Sequence, residues 1–440
     1  MQDYFYALAD LITALLYGQE RYTCTFHGED SDFIRFNRSA VRQPGTVTQR
    51  VLSGDLINGQ RHTAGDIALS GDLEMDRDRL GDLITGLREK LPYLPEDPYL
   101  LYATEVHNSD HLGENRLPSC EDAVGAILEA GCGRDLVGIY AAGGIYAGFA
   151  NSFGQRNWFA DYSFNLDWSF YYQGDKAVKS AYAGFVWEQD DFEQKVSTAA
   201  EQLGVLRQTP KTIAPGRYRV YLSPSALYDI LDTLSWGGFG LKDHRTKQTS
   251  LLRMIEEGIR LHPSVTLREN TRDGVAPNFQ SAGFIKPEQV VLIDAGAFRD
   301  CLASPRSAKE YGVPTNGAAN RESPESVDMA GGTVARDQVF EQLDTGVYIN
   351  NVWYLNYSDR SACRITGMTR FATLWVAHGI IQAPLNVMRF DETIYRMLGE
   401  HLFGLTAERD LILDTGTYHQ RSTSSGRVPG ALIEDFTFTL

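Results

Sequence analysis

The chemistry open to this chain is limited first by where its histidines fall. There are nine, His27, His62, His107, His111, His244, His262, His378, His401 and His419, and only His107 and His111 lie within five residues of each other. Two imidazoles at that spacing on a helix could share a metal, and a hydrolytic site would place a Glu beside the first to take a proton from bound water. No Glu stands there, and the pair falls in a polar segment, so a solvated loop is expected. Asp243-His244-Arg245 sets an acid, a base and a cation side by side, just past Trp236-Gly237-Gly238-Phe239-Gly240. That glycine run lacks the Lys-Ser/Thr of a phosphate-binding loop and reads as a helix stop. Cys363 lies beside Ser361 and Arg364, and a guanidinium lowers a thiol pKa. With no histidine near it in sequence, it reads as a buried structural thiol. Neither a Gly-x-Ser-x-Gly elbow nor a Gly-x-Gly-x-x-Gly turn after a strand occurs.

The elements that must position these residues are legible from apolar spacing. Residues 3–17 put Phe5, Leu8, Leu11, Ile12, Leu15 and Leu16 on one helical face. Strand-like runs follow at 21–27, 32–37, 45–53 and 61–69, punctuated by turns such as Asn58-Gly59. Residues 75–91 return to helical spacing, and a Pro-rich piece, 91–98, closes the unit as a rigid connector. A short helix over 120–130 with Ser119 as N-cap precedes a glycine-dotted aromatic run from 136 to 187, which reads as a twisted sheet with its rings in the core. A helix over 191–206 and a linker at 208–216 follow. Arg217–Ser223 is predicted as a strand and Pro224 as the first turn of a helix carrying Ala226, Leu227, Ile230, Leu231 and Leu234 inward. Further helices are expected over 249–261 and 392–403, short strands near 289–293 and 297–302, a β-rich body over 343–390 with a tight turn at His378-Gly379, and a closing strand over 431–440. The fold class is therefore α+β: an N-terminal α/β layer domain with an antiparallel sheet, residues 1–212, and a β-rich C-terminal domain with a few helices, residues 213–440.

Composition narrows the partners. The chain has 440 residues and a formal net charge of −16. An acidic total with no run of five basic residues argues against a nucleic-acid backbone as partner. Its five cysteines are scattered, odd in number and without Cys-x-x-Cys, which suits free thiols in a reducing compartment. The N-terminus has neither a cationic leader nor an apolar span, so a cytoplasmic protein without a membrane segment is expected.

Several tracts, taken in order, resemble a known family. They are Phe33-Ile34-Arg35-Phe36-Asn37; Phe149-Ala150-Asn151-Ser152-Phe153-Gly154; the loop from Gly312 to Arg321; Thr345-Gly346-Val347-Tyr348-Ile349-Asn350-Asn351; Thr366-Gly367-Met368-Thr369-Arg370-Phe371; and a tract from Trp375-Val376 through Gly379 to Pro384-Leu385. Their order is similar to that of TldD/PmbA proteins, paired subunits of a zinc protease that are also called modulators of DNA gyrase. In that family the protease subunit carries His-Glu-x-x-x-His on the helix after the first strand of the second domain, with a Cys near the C-terminal strand as third ligand. Aligned on this sequence, Pro224, Ser225 and Asp229 stand at about the His, Glu and His positions, and the tract 421–427 has no cysteine.

The resemblance thus implies the non-catalytic, TldE/PmbA-like side of the family. Such a chain would have no catalytic or metal-ligating residues of its own. It would pair with a TldD-like catalytic subunit that carries the zinc, and help to enclose a chamber for unfolded peptides. Trp236, His244, Arg245 and Asn351 are assigned to substrate contact. Two other readings stay open: a homodimeric peptide- or small-molecule-binding protein of the same fold, and an enzyme of unrelated chemistry built on Asp243, His244 and Arg245.

Overall fold

The computed structural model describes residues 1–439. Its first helix, α1 (Gln2–Leu15), buries Phe5, Leu8, Ala9 and Ile12, the face its sequence spacing requires. Next comes a long meander: β1 (Arg21–Asn37), β2 (Ala40–Asn58) and β3 (Arg61–Ala68). The two runs expected at 21–27 and 32–37 are one strand. The turn-like residues between them stay extended because they are paired on both sides, with β2 and with β5, and because Glu29 and Ser31 are buried against polar partners rather than solvent. At the β2–β3 hairpin, Gly59 takes φ +63°, as a tight turn demands. Then follow α2 (Leu73–Lys90), capped by the Asp72 carboxylate, β4 (Ser109–Leu112), α3 (Cys120–Gly131), capped by Ser119, β5 (Asp135–Asn151), β6 (Arg156–Gln173), β7 (Lys176–Gly184) and α4 (Gln189–Leu206).

These strands form a seven-stranded sheet, β3-β2-β1-β5-β6-β4, with β7 also on β6. Successive side chains of a strand point to opposite faces, and here the two faces differ in kind. Even-numbered residues, among them Cys24, Phe26, Ile34, Phe36, Tyr140, Trp158, Phe164 and Phe170, pack beneath the helices in two clusters, one under α1 and α2 and one under α3 and α4. Odd-numbered residues of the other face include Glu29, Ser31, Ser163, Asn165 and Asp167, polar groups turned toward the rest of the chain. The aromatic run of 136–187 is therefore mostly core, as its composition suggests.

Beyond the linker come β8 (Gly216–Leu222), α5 (Pro224–Ser235), α6 (Leu241–Arg245), α7 (Leu252–Glu256), β9 (Leu267–Glu269), β10 (Val290–Asp294), β11 (Ala297–Phe298), α8 (Pro305–Tyr311), β12 (Ser326–Met329), α9 (Val339–Leu343), β13 (Gly346–Asp359), β14 (Arg364–Ala377), β15 (Ile380–Pro384), β16 (Arg389–Thr393), β17 (Leu402–Leu413) and β18 (Ser425–Phe438). They make an eleven-stranded sheet. Part of it closes on itself, because β8 pairs with both β13 and β18, and β13 reaches β18 through β14 and β16. Val220, Leu222, Val347, Ile349, Ile365, Ile433 and Phe436 fill its core together with Leu227, Ile230 and Leu231 of α5. The whole is α+β, with helices grouped on one face of the first sheet and scattered around the second.

Four expectations need correction. The helix over 392–403 is strand β16, a single π-type turn at Arg396–Glu400, and the start of β17. Residues 389–393 are held in register with β14, and the Glu392 carboxylate accepts from the Thr437 backbone and hydroxyl, so tertiary pairing overrides local helical spacing. The helix over 249–261 is confined to α7, ending before Gly258 at φ +67°. The polar loop around His107 and His111 contains β4, and the His111 ring stacks on Phe159 at 5.0 Å. The closing strand starts earlier than 431, at Ser425, and Leu440 lies outside the described residues.

Candidate functional site in the inter-sheet cleft

Helix α5 sets the site. Ser223 caps it, accepting from the Ala226 amide and donating to the Asn350 carbonyl at 2.5 Å, so the helix start is tied to β13. Its apolar residues face the core, which turns Asp229, Asp232, Thr233 and Trp236 to the other side at spacings that share a helix face. These four line a cleft of about 590 Å³ with Lys179 of β7, Asn351, Trp353 and Tyr354 of β13, and Arg370 and Phe371 of β14. Both sheets contribute walls. The β13–β14 ladder is bulged here, with register shifts after Ile349 and Trp353. Tyr354 and Phe371 adopt φ +53° and +58°, a conformation unusual outside glycine. Bulges re-aim side chains, and these leave Trp353 and Tyr354 exposed.

The electrostatics are uneven. Burial pushes the Asp229 carboxyl up to about 7, with Asp232 and Asp167 adding to the rise and Lys179 opposing it. Burial and the nearby Asp414 raise Asp232 as well. Lys179 is committed to Asp167 at 3.1 Å. Arg370 lies over the Trp353 and Phe371 rings at 4.6 and 5.0 Å. The Asn350 amide donates to the Lys179 carbonyl and to the Asn351 side-chain oxygen, at 2.6 and 2.8 Å. This fixes which way the Asn351 amide points.

Of the residues assigned to substrate contact, Trp236 and Asn351 meet in this cleft and His244 and Arg245 do not. His244 packs edge-on to Phe298 at 4.9 Å and bonds the Gly238 carbonyl at 2.8 Å, and burial lowers its pKa. Arg245 is exposed on α6. The glycine run does end α5: Gly237 takes φ +80°, and a Cβ on Gly238 would come within 2.2 Å of the Leu234 carbonyl. Pro224 and Ser225 occupy the first turn of α5, and Asp229 alone of the three reaches the cleft. Cys363 is buried, its thiol pushed up to about 12 by desolvation, which suits a structural thiol. Asp232, Lys179, Trp353, Tyr354, Arg370 and Phe371 escaped the sequence reading. The three-residue spacing of Asp229 and Asp232, opposite the apolar stripe of α5, was the signal available for the first.

A second cluster adjoins the cleft along the polar face of the first sheet. The loop between β17 and β18 inserts Arg421, which donates to Ser31 Oγ, the Gly143 carbonyl, and the Ser163 carbonyl and hydroxyl, while its own amide donates to Glu29. Asn165 holds the Leu413 and Asp414 carbonyls at 3.2 and 3.3 Å.

A helix-backed antiparallel sheet, docked by its polar face on a second sheet that closes into a ring, defines the class: a two-sheet α+β protein with its cleft between the halves. Within it the chain belongs to the PmbA/TldD family, since the model of the PmbA/TldA metallopeptidase C-terminal domain matches residues 215–440, half of the chain. The fold is shared with TldE from Thermococcus kodakarensis (TM-score 0.79, 12% identity, 99% of this chain and 100% of that one). It is shared also with proteins named as modulators of DNA gyrase from Thermotoga maritima (TM-score 0.77, 12% identity, 99% of both chains) and Bacteroides thetaiotaomicron (TM-score 0.75, 15% identity, 99% and 98%). No curated protein matches the sequence. Among the described residues no helix is long and apolar enough to cross a membrane.

The family name implies a metal, and the donor set at α5 can be tested against one. Pro224 has no side-chain donor, Ser225 has a hydroxyl, and Asp229 supplies one carboxylate. Among the described residues no group of three or more His, Cys, Asp or Glu side chains is placed to hold a metal ion. The residues present do not fit a zinc site, which takes three or four nitrogen, sulfur or carboxylate ligands.

Proposed function

We propose that this chain is the non-catalytic subunit of a TldD/TldE-type metalloprotease assembly. It pairs with a homologue that carries the zinc, and its cleft helps to enclose a chamber that receives unfolded peptide segments. The observation that carries this reading is the make-up of α5: the helix faces an open, aromatic-rimmed cleft, yet presents Pro224, Ser225 and Asp229 where the family's metal motif would stand. Similarity of fold to TldE over 99% of the chain supports the same side of the family. An extended peptide suits a cleft bounded by bulged strands, since backbone groups freed by a bulge are open to pairing with a ligand.

The test is elemental analysis and peptidase assay of the purified chain, alone and mixed with a homologue bearing His-Glu-x-x-x-His. We expect no stoichiometric zinc in this chain alone, one zinc per heterodimer, and chelator-sensitive peptidase activity only in the mixture. One zinc bound by the isolated chain, or failure to co-purify with any such homologue, overturns the reading. The second outcome would favour a homodimeric binding protein.

A further inference from the structure

We propose that the cleft receives a basic residue of the peptide: Asp229 and Asp232 pair with its ammonium or guanidinium group, Trp236 lies along its aliphatic stem, and the Asn351 side-chain amide donates to a neighbouring backbone carbonyl. This rests on the peptide-binding reading above and names the side chain that the site selects.

Three independent features lead to it. Asp229 and Asp232 stand one helical turn apart on the cleft face of α5, and among the described residues neither has an ion-pair partner: Lys179, whose charge reaches Asp229, is already paired with Asp167. Asp229, half-buried, and Asp232, exposed at the rim of the cleft, together make a negative pair without a counter-ion, and the less hydrated Asp229 gains most from a cation placed between them. The second feature is Asn351. It is only 8% exposed, its oxygen is taken by Asn350, and its amide nitrogen has no hydrogen-bond partner among the described residues while the residue lines the cleft. That nitrogen is not sealed in but opens on the cleft, so the carbonyl of an entering peptide can accept from it. Third, Trp236 stands one further turn along α5 and is 48% exposed. An indole there covers the methylenes of Lys or Arg and interacts with their cation.

An anionic ligand fits less well, because both cations on the lining are engaged, Lys179 by Asp167 and Arg370 by its ring stack. The volume of about 590 Å³ admits a side chain with its flanking backbone, within the roughly 300–1,000 Å³ usual for ligand sites.

The experiment is isothermal titration of the full-length protein with acetylated, amidated pentapeptides, alanine throughout except for a central Lys, Arg, norleucine or Glu. Lys and Arg peptides are expected to bind about tenfold tighter than norleucine, the worth of one charge-assisted hydrogen bond, and to lose that margin as salt rises. In the Asp229→Asn/Asp232→Asn double variant the Lys peptide should fall to the norleucine level, and Asn351→Ala should weaken all four peptides alike. The wild-type ranking decides the matter even if a variant misfolds. Equal binding of Lys and norleucine, or a preference for Glu, overturns the basic-residue proposal and leaves the peptide site standing. Lys selectivity that persists in the double variant overturns the assignment to this cleft. No binding of any peptide at millimolar concentration overturns both the proposal and the peptide-binding reading.

Discussion

At the scale of single residues, Asp229 carries the most information. A carboxyl whose folded pKa is about 7 holds a proton that the unfolded chain has released at the same pH. Stability therefore falls as pH rises from about 4 to about 7 and is flat with respect to this group above that. Asp229→Asn removes the charge while keeping the shape. The variant is expected to match the wild type near pH 4 and to exceed it at pH 8 by about 1–2 kcal/mol, a figure reduced from the full shift because water in the cleft screens the charge. Urea unfolding of both proteins across that range checks it, and parallel curves would mean that Asp229 is already ionised in the folded cleft at pH 5. A site held at some cost to stability is the usual mark of a binding surface. This residue was reached from the sequence only by alignment to a metal motif that it does not fulfil. Trp236 and Asn351 were also within reach. His244 was drawn in by its neighbours Asp243 and Arg245, yet adjacency in a short helix does not bring side chains to one point, and burial against Phe298 directs its ring elsewhere.

At the scale of elements, the cap of α5 is where local sequence and the cleft meet. Ser223 serves two neighbours with one hydroxyl, the Ala226 amide and the Asn350 carbonyl. Ser223→Ala is therefore expected to cost about 1–2 kcal/mol, the upper part of the range for a lost cap. It should also loosen residues 350–351, seen as faster amide exchange there than in β14. A loss under 0.5 kcal/mol with unchanged exchange would place the β13 contact outside the set that holds the cleft. Helices with a clean apolar stripe, α1, α3, α4 and α5, were legible because one face is buried and nothing competes with the stripe, and Ser119 and Ser223 mark the starts of α3 and α5 as well. The hairpin turns at Gly59 and Gly379 were legible for steric reasons. What the sequence hid were elements decided by distant partners. The stretch 28–31 looks like a turn and is mid-strand, because Arg421 and Gln49 satisfy its polar groups. β17 passed unnoticed altogether, since its exposed Ala407, Glu408 and Arg409 conceal a strand whose register is imposed by β18. The cleft lining on β13 and β14 was hidden for a related reason, as bulges obscure the period-two pattern that would show which way Trp353 and Arg370 point.

At the scale of the whole molecule, the question is whether the two sheets stand alone. Leu374 and Ala372 of β14 are buried in the cluster that contains Phe164, Leu166 and Leu203 of the first half. Polar ties run beside it: Lys195 and Arg336 share Asp410 at 3.2 and 2.5 Å, Arg306 pairs with Asp97, and Ala103 donates to the Ala282 carbonyl at 2.8 Å. Arg421 adds a guanidinium buried in the first sheet but supplied by the second half, its pKa lowered by desolvation against the pull of Glu29. Removing such a group takes a donor from the Gly143 and Ser163 carbonyls and from the Ser31 and Ser163 hydroxyls, and a nearby positive charge from buried Glu29, for about 2–4 kcal/mol. If the halves fold as one unit, Arg421→Ala lowers the urea midpoint read by every probe together. Trp158, Trp168 and Trp187 report on the first half and Trp236, Trp353 and Trp375 on the second, so single-tryptophan variants can follow each half separately. Coincident midpoints that move together in Arg421→Ala would mean that the division near residue 212 is one of architecture and not of stability. Midpoints that separate, with only the first-half tryptophans shifting, would mean that the cleft is a joint between autonomous units, able to open when a peptide enters.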